Sequence, residues 1–136
     1  MDVEQERLFI QSFVLRERRE RAAFELASPK RRPAFLNRLC HTYAAVLDMR
    51  YAQALPASLA DWQAVLAILL AKHALPMCYA ISMSDALDGK HMPLEQVLQG
   101  AVSFGLPSIV ICIPGKLAYF EAEQEHGPPP RFLLER

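Results

Sequence analysis

The chain reads as an α+β fold in which three N-terminal helices pack on a mixed four-stranded sheet, and three observations predict it. Apolar residues in the first half recur at helical spacing, as in Phe9/Phe13 and Ile10/Val14. After Pro76 the period changes to short apolar runs, of which Ser108–Ile113 is rich in β-branched residues. Pro114-Gly115 then leads into another such run, with proline suited to the second position of a type II turn and glycine to the positive-φ position after it. At 136 residues the chain has the length of one domain, and enough apolar content to bury a core without staples. It divides into a helical part, 1–75, and a β-α-β-β-β part, 76–136.

The first helix is expected over 4–26, with Phe24 and Leu26 resuming the apolar set beyond an Arg/Glu-rich middle. Ser28-Pro29 reads as an N-cap followed by proline at the first helical position, and Leu36, Leu39, Cys40, Tyr43 and Leu47 form the stripe of the second helix. A connector covers 48–56. Ser58 and Asp61 stand at the N-cap and N3 positions of a third helix reaching Lys72, with Trp62, Val65, Leu66 and Leu69 on its buried face. Residues 77–83, bounded by Pro76 and a polar run, form the first strand. Pro93 opens a helix that ends near Ser103, before Gly105. Ser108–Ile113, 116–123 and 131–135 are the remaining strands. Strand, helix and strand in succession form a β-α-β unit, whose two strands are parallel with a right-handed crossover. The unbroken apolar run of Ser108–Ile113 implies burial on both faces. The last three strands make an antiparallel meander.

Fifteen basic and fifteen acidic residues cancel, so no global field draws the chain to nucleic acid or to an anionic membrane. The polar start, 1–6, is neither a signal nor a transit peptide, and the longest apolar run, 64–71, is far too short to span a membrane. Cys40, Cys78 and Cys112 are odd in number and set among apolar residues, which predicts buried, reduced thiols and a cytoplasmic protein. The charge is unevenly spread. Residues 16–38 hold eight basic residues against three acids, and 84–136 hold seven acids against four bases. The halves are expected to attract each other within the fold or across a dimer.

Three constellations carry possible chemistry. Glu121 and Glu123, two residues apart on one strand, share a face and suit a hard divalent ion, but a parallel β-α-β arrangement puts them away from Asp85 and Asp88. No metal and no cofactor is expected. The stronger cluster is Ser84, Asp85, Asp88 and Lys90 with Gly115 and Lys116. In that arrangement their loops share one end of the sheet, where lysines and turn amides hold an anion such as phosphate or carboxylate. Asp-Gly and Pro-Gly are also ordinary turn chemistry. The third is the basic segment, in which Arg16, Arg19, Arg31 and Arg32 form an interaction surface for a partner protein, a second copy or nucleic acid. Cys40 and His41 point about 100° apart on a helix, and Cys112 lies among isoleucines, so no nucleophile–base pair stands out.

The run Phe9-Ile10-Gln11-Ser12-Phe13-Val14 with Arg16 to Arg21, then Ser28-Pro29-Lys30-Arg31-Arg32 and Leu39-Cys40-His41, resembles the opening of a family of small bacterial proteins of unknown function. Ile113-Pro114-Gly115-Lys116-Leu117-Ala118-Tyr119-Phe120-Glu121 resembles their close. The resemblance implies a bacterial cytoplasmic protein and carries no activity or catalytic residue. The expectation is therefore a non-catalytic module that binds a partner protein or a small anionic ligand. A hydrolase or transferase acting on a phosphate-containing or nucleic-acid substrate is the first alternative, and nucleic-acid binding through the Arg-rich helices the second.

Overall fold

The computed structural model describes residues 1–59 and 61–136. The fold is α+β, and the sheet has six strands, all antiparallel to their neighbours, in the order β1-β6-β5-β4-β2-β3. The strands are β1 (Ala52–Ala54), β2 (Met77–Ser82), β3 (His91–Pro93), β4 (Ser108–Ile113), β5 (Leu117–Glu121) and β6 (Arg131–Glu135). Among the described residues five α-helices accompany them: α1 (Val3–Phe13), α2 (Arg19–Leu26), α3 (Arg32–His41), α4 (Trp62–Ala71) and α5 (Leu94–Ala101).

The mixed four-stranded sheet with a parallel β-α-β unit is corrected on two counts. Three residues, His91–Pro93, turn back along β2 before α5 begins. The helix therefore starts beside the beginning of β2, where the Leu94 amide donates to the Pro76 carbonyl (2.9 Å), and its crossover delivers β4 antiparallel to β2. The second count is β1, which lies inside the expected connector and pairs with β6, so the helical half supplies an edge strand. The β4-β5-β6 meander is as expected, with Gly115 at φ +73° in the tight turn.

Side chains alternate across the sheet because strand periodicity is two. Tyr79, Ile81, Ile109, Ile111 and Phe120 face one apolar cluster together with Phe9, Phe13, Phe35 and Leu39. Ala80, Val110, Cys112, Tyr119 and Leu133 face a second, with Val65, Leu69, Val97 and Leu98. The residues of α1, α2 and α3 thus cover one face and those of α4 and α5 the other. Burial on both faces holds for β4 although none of its pairings is parallel.

The expected helix over 4–26 is two helices. Val14 leaves helical geometry to form a β-bridge with Leu47, and the Leu15 amide donates to the Val46 carbonyl (2.9 Å). A short 3-10 turn, Arg16–Arg18, then restarts the chain as α2. The cap of α4 is Asp61, whose carboxylate accepts from the Ala64 amide (2.9 Å), and Ser58 lies outside the helix. Ala60, within the expected helix, lies outside the described residues.

Candidate functional site

The expected anion cluster is split by the register of the sheet. Ser82 pairs with Ser108 and Tyr79 with Ile111, so the loop after β2 sits at the start of β4, while Gly115 and Lys116 follow its end. A six-residue strand, roughly 20 Å long, separates them. Ser84, Asp85, Asp88 and Lys90 do share one loop. Ser84 donates its amide to Ser82 Oγ (3.0 Å) and accepts the amides of Leu87 and Asp88 at its carbonyl, while Asp85, Lys90 and Lys116 are exposed.

Asp88 is committed elsewhere. Arg32 donates Nε to Asp88 Oδ2 and Nη2 to Asp88 Oδ1, both at 2.9 Å, and the Ser82 amide adds a bond to Oδ1 (3.0 Å). The same guanidinium pairs through Nη1 with Glu6 (2.8 Å) and donates to the Leu26 carbonyl (3.0 Å). Tyr79 donates its hydroxyl to Glu6 Oε2 (2.6 Å) and accepts the Asp2 amide (2.9 Å). Burial, followed by the contact with Glu6, pushes the Tyr79 phenol well above its ordinary value. Arg32 is 3 % exposed. It therefore leaves the expected interaction surface and becomes the buried knot joining α1, α2, α3 and the β2–β3 loop.

A second buried ion pair lies at Glu121, which was expected on a strand face shared with Glu123 and is fully buried. Arg131 Nε donates to its Oε1 (2.9 Å), as do the Tyr119 hydroxyl (2.9 Å) and the Ser103 amide (3.1 Å). Burial pushes the Tyr119 phenol far up, and the Glu121 carboxylate adds to the shift.

The remaining basic residues form a surface. Arg16 is exposed, Arg19 donates Nε to the Val14 carbonyl (3.0 Å), and Arg31 lies 4.0 Å over the Phe24 ring while bonding the Phe24 carbonyl. Attraction between the basic segment 16–38 and the acidic segment 84–136 is seen in Arg32–Asp88, whereas Arg21 and Arg38 both turn to Glu25 within the basic segment.

Between α1 and α2 runs an open groove of about 490 Å³. Val3, Ile10, Ala23 and Leu26 give it apolar walls, and Arg7 and Arg19 stand among its polar lining residues. Small residues make the space: α2 presents Ala22 inward and Ala23 to the groove, where a larger side chain would close it. Arg7 is held by Glu4 and by Gln11 (3.0 Å), Arg19 by Val14. Glu6 and Glu20 also line the groove; the charge of Glu6 is answered by Arg32, and Glu20 is exposed. Val3 and Met1 are more than half exposed, an unusual state for large apolar side chains grouped on one surface. The expected helix over 4–26 concealed this groove, because it exists only where that helix breaks and folds back.

The Cys112 thiol is pushed well up by its hydrogen bond with Cys78 and by burial, and burial likewise raises Cys40. The same hydrogen bond lowers Cys78 against the opposing effect of burial, but that thiol is 1 % exposed and out of reach of a substrate. His91 Nε2 is paired with Asp2 at 3.0 Å, and its ring lies against Tyr79. Comparison with protein-family models, with curated proteins and with solved structures returns no match. No helix is long and apolar enough to cross a membrane among the described residues.

Proposed function

We infer that the chain is a binding protein whose α1–α2 groove receives an amphipathic helix of a partner protein, apolar on its buried side and acidic along its flanks. The observation that carries this reading is the apolar groove with Arg7 and Arg19 in its lining. Such a groove takes side chains at i, i+3/i+4 and i+7 spacing from a partner helix. A partner carboxylate meets these arginines by taking the Arg7 fork from Glu4 and by approaching Arg19, whose Nε is held by the Val14 carbonyl; Glu20, also in the lining, opposes it. The enzyme reading depended on Asp85, Asp88, Lys90 and Lys116 acting together, and the sheet keeps Lys116 from the other three. The nucleic-acid reading loses Arg32 to the interior. Buried Cys78 and Cys112 with free thiols accord with a reducing compartment.

The test uses a designed helical peptide with a leucine face and glutamate flanks, titrated into the isotope-labelled chain and followed by amide chemical shifts. Shifts concentrated at Val3, Ile10, Ala23 and Leu26 are expected, and Ala23→Trp, which fills the groove, should remove them. A lysine-flanked peptide of the same face should bind at least about tenfold more weakly, a difference of 1.4 kcal/mol. Equal binding of both peptides, shifts elsewhere, or occupation of the groove by a second copy of the chain would each overturn the reading.

A further inference from the structure

A cluster at the far end of α3, independent of the groove, has the composition and spacing of a metal site. His41 is the last residue of α3, and Glu123 and Glu125 lie in the loop that follows β5. His41 Nδ1 stands 3.5 Å from Glu123 Oε2 and 3.4 Å from Glu125 Oε1. One donor atom from each residue lies within 4.8 Å of the other two.

These separations are too long for good N–H···O hydrogen bonds, which fall between about 2.7 and 3.2 Å. They match the edge of a coordination polyhedron: donors about 2.1 Å from one ion stand about 3.4 Å apart at a tetrahedral angle. Two carboxylates converging on one imidazole also place two negative charges where a dication would neutralise them. The C-terminal end of α3 adds the negative pole of its helix dipole, which favours a cation at that place.

The segment bearing the glutamates is fixed rather than open chain. The Ala122 amide donates to the Pro130 carbonyl (2.9 Å), the Gln124 amide to the Gly105 carbonyl (3.0 Å), and Gln124 Nε2 to the Gly127 carbonyl (2.9 Å). With Gln124 tied down between them, Glu123 and Glu125 are held two residues apart. A cavity of about 450 Å³ adjoins the cluster and opens it to solvent; His126 lines the cavity but stands outside the set of three donors.

We propose that His41, Glu123 and Glu125 form a binding site for a divalent first-row transition ion. One imidazole with two carboxylates suits zinc, manganese or iron better than calcium or magnesium, which take oxygen ligands alone. Cys40 also lines the cavity, but its thiol contacts Met83 Sδ at 3.7 Å and is not part of the ligand set.

The experiment titrates zinc chloride into the full chain, stripped of metal beforehand, by isothermal calorimetry, with cobalt(II) absorption as a second readout. One zinc per chain is expected, with at least about tenfold weaker binding in both His41→Ala and Glu123→Gln. His91→Ala and Cys40→Ser should bind as the unaltered chain does, and calcium and magnesium should not compete. Cobalt should give ligand-field bands without the charge-transfer band of a thiolate. His41 is exposed, so His41→Ala should fold, and its circular dichroism spectrum verifies this in the same sample. No saturable zinc binding, binding unchanged in His41→Ala, or binding lost in Cys40→Ser would each overturn the assignment and leave these residues an ordinary surface ion pair.

Discussion

Arg32 illustrates how one side chain can organise a small fold. Its guanidinium spends Nε and Nη2 on Asp88 and Nη1 on Glu6 and the Leu26 carbonyl, a use of the planar fork that an ammonium cannot copy. Removing one member of such a buried pair leaves an unanswered charge, which costs about 3–5 kcal/mol. Arg32→Ala should therefore lose roughly that much stability in urea denaturation, and Arg32→Lys should recover only part of it. A loss below about 1 kcal/mol in Arg32→Ala would mean that Glu6 and Asp88 reach water easily. Nothing in the local sequence distinguishes Arg32 from its neighbour Arg31. Their different fates follow from tertiary placement: one guanidinium points at two carboxylates distant in sequence, the other stacks on Phe24. Glu121 was hidden for the same reason, since a charged residue on a strand reads as exposed until Arg131, its cross-strand neighbour, is known to face it.

At the scale of elements, legibility follows length and local chemistry. The turn between β4 and β5 was readable because Pro114 and Gly115 carry its backbone angles in their own covalent structure. β1 and β3 have three residues each, too few for a period-two pattern to appear, and missing β3 reversed the inferred direction of β4 relative to β2. The break after α1 has no proline or glycine to announce it; a bridge between Val14 and Leu47 imposes it from outside. That break also creates the groove, so the candidate site was illegible along with it. The start of α4 gives a direct comparison of the expected and observed caps. Asp61→Ala should cost about 1 kcal/mol, while Ser58→Ala, outside the helix, should leave the urea midpoint unchanged. Equal costs for the two would argue that α4 begins a turn earlier.

Across the whole molecule, each face of the sheet carries a phenol tied to a buried carboxylate: Tyr79 with Glu6 on one, Tyr119 with Glu121 on the other. Both phenols hold their protons above the ordinary value of 10.0. The unfolded chain releases those protons first, so their contribution is complete below pH 10 and declines as the pH rises beyond it. Urea midpoints measured across a buffer series spanning pH 10 should therefore fall on the alkaline side, and Tyr79→Phe should make that fall shallower. An unchanged slope in Tyr79→Phe would assign the alkaline loss to other groups. The two short edge strands, β1 and β3, leave little unpaired backbone on which copies of the sheet could join.

The position of β6 has a temporal meaning. It follows the other five described strands in sequence, yet it sits between β1 and β5 rather than at a border. On the ribosome, β1 therefore emerges long before its hydrogen-bonding partner exists, and β5 meanwhile presents a bare flank. The N-terminal helices have their apolar sides ready early, but the sheet they cover stays incomplete until Arg131–Glu135 has left the exit tunnel and threaded into place. Synthesis makes β1 first, and its pairing waits for β6.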